Sequence, residues 1–158
     1  MFASCGLHRS TAEFDQSFSE IENAILVQHH NPNFPLPNIP ESIVDGQERA
    51  IYLSKHYWDE FPFNDVSLID KPQVTEQAFV DYIHVLKFIP FKYASRSIKY
   101  LFVQAQSNPN MYGHFASLFE KYYYIADSPF CNEELYIPVL ETILKSDMLT
   151  KEDVEKYD

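Results

Sequence analysis

The sequence predicts an all-α fold of about six or seven helices in antiparallel hairpins, with a proline-rich connector after the first helix. Apolar residues recur at spacings of three and four along most of the chain, as on the buried face of a helix. Only three glycines are present, and proline and asparagine mark the breaks between apolar segments. The chain has 158 residues, of which 46% are hydrophobic and 16% aromatic, enough to bury the core of one domain.

The first part of the chain divides into a tether, a helix and a connector. Residues 1–10 are interpreted as a lipoprotein signal remnant and tether. Residues 11–28 are predicted to form the N-terminal helix, because apolar side chains recur there every three or four positions. Residues 29–44 carry four prolines, which forbid a helix and favour an extended, semi-rigid connector. The connector either wraps the domain or separates the first helix from it.

Residues 45–158 are predicted to form the helical domain, and capping signals mark the starts of its helices. Asp45 stands three residues before a glutamate, which is capping-box spacing, and opens a helix that runs to about Glu60. Thr75 is predicted to cap the next helix, and Pro90 to stop it. These signals predict two helices in the first half of the domain.

The second half of the domain shows the same pattern. Residues 92–107 place alanines and large apolar side chains on one stripe, and their alanine, glutamine and basic content favours a helix over a strand. Asn108 stands before a proline, which is a start signal for the following helix. Asn132 is predicted to cap another helix, and Thr150 to open a short last one.

The net charge of the chain excludes several classes of partner. The sequence has 23 acidic residues against 12 basic ones, a formal net charge of −11. A surface of this sign repels a phosphate backbone, so we expect no nucleic-acid partner. Direct docking on an anionic membrane is disfavoured for the same reason.

The sequence carries no familiar catalytic motif. It has neither a glycine-rich phosphate loop nor a nucleophile elbow. Its two cysteines, Cys5 and Cys131, do not form the Cys-x-x-Cys pair that thiol–disulfide exchange uses. We therefore expect no enzymatic activity and no cofactor, although a dispersed catalytic pair among the six histidines stays open.

Cys5 is the candidate lipidation site. It follows Phe2 and two small residues, a pattern similar to the end of a bacterial lipoprotein signal peptide, where the cysteine is acylated and becomes the new N-terminus. Residues 1–4 supply neither the basic region nor the apolar stretch of ~7–15 residues that a complete signal peptide has. A start codon assigned too far downstream would explain this difference. The alternative is that Cys5 is an ordinary cysteine near the N-terminus.

Three segments carry a family resemblance. They are YLSKHYWDEF at 52–61, VTEQAFVDYI at 74–83 and NEELYIPVLE at 132–141. In this order they resemble a helical domain of unknown function found in envelope lipoproteins of anaerobic Gram-negative bacteria, often N-terminal to a thioredoxin-like domain. The resemblance covers roughly residues 45–158 and includes no thioredoxin-like domain. It implies an envelope context and supports lipidation of Cys5.

Two clusters of aromatic residues are candidates for a ligand-binding or partner-binding surface. One interpretation is a stacking platform for a sugar or a peptide, and the other, which we favour, is that the rings fill the space between helices. Three consecutive tyrosines on a helix cannot all face inward, so we expect at least one to be exposed. The candidate residues are Tyr57, Trp58, Phe61, Tyr122, Tyr123 and Tyr124.

His56 and Glu60 are candidate metal ligands. They are four residues apart on a predicted helix and would share one face. A metal site needs a third ligand from elsewhere, for which His84 and His114 are the available histidines. The alternative, which we favour, is that His56 is partly buried among aromatic rings.

These observations predict a non-catalytic helical interaction or accessory module of a cell-envelope lipoprotein. We expect it to be anchored to the membrane through a lipid on Cys5 and to face the periplasm or the cell surface. The expected partner is an envelope protein or a thioredoxin-like domain. The alternatives are a peptide- or glycan-binding domain that uses exposed aromatic residues, and a metal-dependent enzyme.

Overall fold

The computed structural model describes residues 34–150, together with Ser19, Glu20, Glu152 and Glu155. Within this part of the chain there are five α-helices and no strand, which confirms the all-α prediction. A 3₁₀ helix spans Val66–Asp70 and a π-helical turn spans Glu120–Tyr124. The α-helices are α1 (Gly46–His56), α2 (Thr75–Leu86), α3 (Phe91–Ala105), α4 (Pro109–Phe119) and α5 (Glu133–Leu144).

The number of described helices is slightly below the six or seven predicted. The predicted N-terminal helix at 11–28 lies outside the described residues, apart from Ser19 and Glu20, which are helical. The predicted last helix after Thr150 also lies mostly outside them. Each of the other predicted helices corresponds to one observed helix.

Side-chain caps fix three of the five helix starts, as the sequence predicted. The Asp45 carboxylate accepts a hydrogen bond from the backbone N–H of Glu48 at 2.9 Å. The Asn108 side chain accepts from the N–H groups of the second and third residues of α4, and Pro109 occupies the first position. The Asn132 side chain accepts from Leu135 N–H at 2.9 Å. A cap of this kind contributes roughly 0.5–2 kcal/mol, because it satisfies a backbone donor that the helix leaves unpaired.

The start of α2 differs from the prediction. Val74 precedes the helix and makes no side-chain cap, and Thr75 is already the first helical residue. The Thr75 hydroxyl donates instead to the backbone carbonyl of Leu68, at 2.8 Å. The hydroxyl therefore ties α2 to the preceding 3₁₀ helix, a contact to a residue seven positions earlier that capping spacing does not encode.

The end of α1 also differs from the prediction. The helix was expected to reach about Glu60 but ends at His56. Tighter turns follow, with Asp59 N–H donating to the His56 carbonyl and Phe61 N–H to the Trp58 carbonyl. Pro62 disfavours a helical conformation for the residue before it. The turns direct Trp58 and Phe61 into the core.

The helix α3 occupies the centre of the helical assembly. It packs against α1, α4 and α5, and α5 also packs against α4 and the π-helical turn. Its fully buried stripe contains Ala94, Ile98, Leu101, Phe102 and Ala105, the stripe that the sequence predicted. No helix in the described part of the chain combines the length and the apolar character needed to cross a bilayer.

Trp58 lies at the centre of an aromatic cluster. Its ring centroid lies between 5.1 and 6.4 Å from those of six other rings. Its indole N–H has no hydrogen-bond partner among the described residues, so its contribution there is packing rather than hydrogen bonding. The six neighbouring rings belong to Phe34, Tyr57, Phe61, Phe63, Tyr82 and Phe115.

The described part of the proline-rich connector packs onto the domain. Phe34 is buried and its ring lies 5.4 Å from that of Trp58 and 5.3 Å from that of Tyr57. Ile39 is also buried. From residue 34 onward, the connector therefore lies against the domain.

Replacing Trp58 with alanine should destabilise the protein by about 3–5 kcal/mol, because it empties the centre of the aromatic cluster. Urea unfolding followed by circular dichroism measures this change. Tyr124→Ala is the matched control, since the Tyr124 side chain is 64% exposed, and it should cost less than about 1 kcal/mol. Equal losses for the two variants would contradict the central role of Trp58.

Candidate functional site

A groove of about 540 Å³ runs between α1 and α3 and is open to solvent. We refer to it as the α1–α3 groove. Its volume lies within the range of typical ligand sites, roughly 300–1,000 Å³. It is lined by Ile51, Ser54, Lys55, His56, Asp59, Tyr93, Arg96, Ser97 and Tyr100.

Aromatic side chains form much of the wall of the α1–α3 groove. Tyr93 and Tyr100 are seven residues apart on α3, so they lie on the same side of the helix two turns from each other. Tyr100 is 47% exposed. On the facing helix, the Tyr52 ring lies 4.5 Å from the ring of His56. The groove thus presents flat apolar surface to solvent, which the buried aromatic cluster around Trp58 does not.

Two cations that have no ion-pair partner in the described part of the chain line the same groove. Lys55 and Arg96 are exposed, and no described carboxylate lies within ion-pair distance of either. Asp59 is the single acidic residue among the described residues of the lining, and its carboxylate contacts His56 Nδ1 at 2.7 Å. The groove is therefore locally basic on a chain whose net charge is −11.

The floor of the groove is a closed hydrogen-bond network. The Ser97 hydroxyl donates to the backbone carbonyl of Ser54 at 2.7 Å and lies 2.7 Å from the Tyr82 hydroxyl, which donates to it in turn. The Ser54 hydroxyl donates to the Ile51 carbonyl at 2.8 Å. Burial raises the pKa of Tyr82 well above its ordinary value, so its hydroxyl stays protonated. The floor offers shape but no free hydroxyl donor.

Four of the six predicted aromatic candidates belong to the core. Tyr57, Trp58, Phe61 and Tyr123 are all buried, and the Tyr57 hydroxyl donates to the Ala78 carbonyl at 2.9 Å. These four side chains therefore cannot form an exposed stacking platform. Instead, the four rings fill the space between helices, which is the interpretation that we favoured.

The remaining two candidates, Tyr122 and Tyr124, reach the surface at the π-helical turn. Tyr124 is exposed, and its ring stacks on that of Tyr136 with centroids 5.5 Å apart. The Tyr122 hydroxyl donates to the Glu76 carboxylate at 2.7 Å, and Lys121 pairs with the same carboxylate. As predicted, the three consecutive tyrosines do not all face inward.

The candidate metal ligands are not arranged as a metal site. His56 contacts Asp59 rather than Glu60, and Glu60 is exposed. The His84 ring lies edge-to-face with the Phe130 ring, with centroids 4.6 Å apart. Burial lowers the pKa of both His84 and His114. Among the described residues there is no group of three or more His, Cys, Asp or Glu side chains that could hold a metal ion.

The structure describes one of the two cysteines. Cys131 is a free thiol at the surface. The predicted lipidation site, Cys5, lies outside the described residues.

Sequence reasoning missed the α1–α3 groove, although one signal pointed to it. The helix α3 contains Lys92, Arg96 and Lys99 and no acidic residue, in a chain with nearly twice as many acids as bases. With Tyr93 and Tyr100, these residues form the face opposite the buried stripe. An exposed helix face that is both basic and aromatic in an acidic protein is a signal for a binding surface.

Protonation of Glu76 should destabilise the protein below about pH 4.3, the ordinary pKa of a glutamate. The Lys121 ammonium and then the Tyr122 hydroxyl, which both donate to it, hold the pKa of this carboxyl below that value, against the opposing effect of burial. The contribution is therefore present above pH 4.3 and is lost as the pH falls through the lowered pKa. It should amount to less than about 1 kcal/mol, because Lys121 is exposed.

Urea unfolding between pH 2.5 and 6 tests this expectation. Tyr122→Phe removes one donor to Glu76 and should flatten the pH dependence of the unfolding free energy. Tyr124→Phe is the control and should leave the dependence unchanged, since the Tyr124 hydroxyl is exposed. Parallel curves for the wild type and Tyr122→Phe would contradict the assignment.

Comparison with known proteins places these features in a family context. A solved structure similar to this chain is that of a thioredoxin-like protein from Bacteroides caccae ATCC 43185, at 1.90 Å resolution. The two are 38% identical with a TM-score of 0.75, over 78% of this chain and 45% of that chain. This chain therefore spans less than half the length of that protein. No curated protein matches the sequence.

The family match extends over residues 6–158, nearly the whole sequence. It confirms the predicted resemblance to a domain of unknown function, and the similar solved structure fits the expected thioredoxin-like association. The chain belongs to the family described as a domain of unknown function, DUF5106.

Proposed function

We propose that this chain is a non-catalytic interaction module that works beside a thioredoxin-like domain in a cell-envelope lipoprotein. The observation that supports the proposal most directly is the 38% identity to a thioredoxin-like protein, over 78% of this chain but only 45% of that one. A relationship of this extent fits a module that accompanies another domain.

The secondary structure supports a helical module that is separate from the thioredoxin-like domain. The described residues of this chain are helical and contain no strand, so the part of the Bacteroides caccae protein that aligns with them has a helical fold. We infer that its thioredoxin-like character resides in the remaining half. The helical module would then contribute contacts rather than thiol chemistry, because thiol–disulfide exchange needs a nucleophilic thiolate and a resolving partner close to it.

An exposed apolar surface near the π-helical turn is suited to such contacts. Tyr124 is 64% exposed, the adjacent Ile125 is 49% exposed and Ile137 on α5 is 53% exposed. The stacking of Tyr124 on Tyr136, the neighbour of Ile137 in sequence, connects the turn to α5. Exposed apolar side chains on two adjoining elements are the kind of surface that protein partners cover.

Binding to a purified thioredoxin-like domain from a related protein tests the interaction. We expect isothermal titration calorimetry to detect binding, and the double substitution Tyr124→Ser and Ile137→Ser to weaken it at least tenfold, since it removes two apolar contacts. Val66→Ser, on the 3₁₀ helix, is the matched control for loss of an exposed apolar side chain. The absence of any binding at millimolar concentration would reject the interaction with that domain.

We propose further that a lipid on Cys5 anchors the protein to the membrane. The residues between Cys5 and Thr11 would span at most ~20–25 Å when extended. A lipid on Cys5 would therefore keep the start of the predicted first helix close to the membrane. The gene with its native upstream DNA should incorporate a labelled fatty acid in a Gram-negative host. Cys5→Ala should abolish the label and membrane fractionation, whereas Cys131→Ala should retain both. Labelling that persists in Cys5→Ala would refute the anchor.

A further inference from the structure

We propose that the α1–α3 groove binds a short acidic peptide segment of a partner protein, with Arg96 and Lys55 contacting its carboxylates. The inference rests on the proposed role as an interaction module and names a site and the chemistry of the segment that it takes. Four features of the described residues support it: unpaired cations, aromatic walls, an occupied hydrogen-bond floor, and a suitable volume.

The basic side chains in and beside the α1–α3 groove differ in whether they contact a carboxylate or an aromatic ring. Lys99 pairs with Glu141 at 3.3 Å, and the Lys92 ammonium lies 4.7 Å from the centre of the Tyr93 ring. Lys55 and Arg96 have no described carboxylate within reach, although acids outnumber bases 23 to 12 in the sequence. The two side chains belong to opposite helices of the groove, so a ligand lying between them meets a cation on each side.

Arg96 is well suited to a carboxylate ligand. A guanidinium presents its donors in a planar fork that matches the two oxygens of a carboxylate. Lys55 supplies a second, less directional charge on a flexible stem. Among the described lining residues the one acid is Asp59, and its carboxylate contacts His56 on the α1 side of the groove, whereas Arg96 belongs to α3.

The walls of the groove fit apolar or aromatic side chains between the carboxylates. Ile51, Tyr93 and Tyr100 present apolar surface along the groove. A volume of about 540 Å³ accommodates a few residues of peptide rather than a folded partner. The expected segment therefore alternates glutamate or aspartate with a large apolar residue.

The floor favours a peptide over a sugar. A glycan needs several donors and acceptors for its hydroxyl groups, but the hydroxyls of Ser54 and Ser97 already donate to backbone carbonyls. Tyr82 is fully buried and engaged with Ser97. Among the described lining residues, the two cations without an ion-pair partner are Lys55 and Arg96, and their charge matches carboxylates rather than the neutral hydroxyls of a sugar. A long polyanion such as nucleic acid would meet the repulsion of the whole chain, whereas a short segment meets only the local charge.

Fluorescence anisotropy with a labelled, capped hexapeptide of alternating glutamate and phenylalanine tests the proposal on the full chain. The same peptide with glutamine in place of glutamate should bind at least tenfold more weakly. Arg96→Gln and Lys55→Gln should each weaken binding about fivefold, and the double variant more than tenfold. Raising the salt concentration from 50 to 500 mM should weaken binding of the acidic peptide, because exposed charges are screened.

Lys145→Gln is the matched control, because it removes one positive charge at an exposed position that does not line the groove. It should leave peptide binding within twofold of the wild type. Circular dichroism should show that all variants remain folded, since the substituted side chains are exposed.

Three results would overturn the inference: equal affinity for the glutamine peptide, equal loss in Lys145→Gln and Arg96→Gln, or tighter binding of an oligoglucuronate than of the acidic peptide. The last result would assign the groove to acidic glycans. Failure here is distinguishable from failure of the proposed module role, because that test depends on Tyr124 and Ile137 and on a thioredoxin-like domain.

Discussion

The packing of the Trp58 indole is the interaction on which the rest of the fold depends. Its six ring neighbours come from the connector, from the turns after α1, from α2 and from α4. Because the indole must enter the core immediately after α1, the helix ends at His56 and the chain folds back in tight turns. The last turn of α1, with Lys55 and His56, is thereby held at the edge of the groove. Burial of one side chain thus fixes both the core and the position of the candidate site.

A second constraint sets the distance between α1 and α3. The last carbonyl groups of a helix have no partner within the helix, and Ser54 lies in that part of α1. Ser97 on α3 donates to the Ser54 carbonyl, and Tyr82 on α2 completes the network, so three helices share two hydrogen bonds. Each of these groups would be costly to bury alone. The network therefore holds the groove floor in place without supplying polar groups to a ligand.

Local features of the sequence predicted the fold well, whereas the groove and the aromatic roles depend on long-range contacts. The caps at Asp45, Asn108 and Asn132 are set by residues within three positions, and spacing alone reveals them. Thr75 shows the limit, because its hydroxyl bonds to Leu68, a tertiary contact that competes with capping. Aromatic clusters in sequence do not report exposure, since the same rings can fill a core or line a surface. A hydrogen bond between Ser54 and Ser97 forms the floor of the groove. These residues lie 43 positions apart, and no local pattern in the sequence predicts their contact.

The packing of both Phe34 and Phe115 against Trp58 has a consequence for biosynthesis. The chain emerges from the ribosome N-terminus first, so Phe34 and Trp58 appear well before Phe115. At ~5–20 residues per second, the interval between Trp58 and Phe115 lasts roughly 3–11 s. During those seconds Trp58 has been synthesised, but Phe115, which packs against its ring, has not. Translation speed between these two positions therefore sets how long Trp58 lacks the packing that Phe115 supplies.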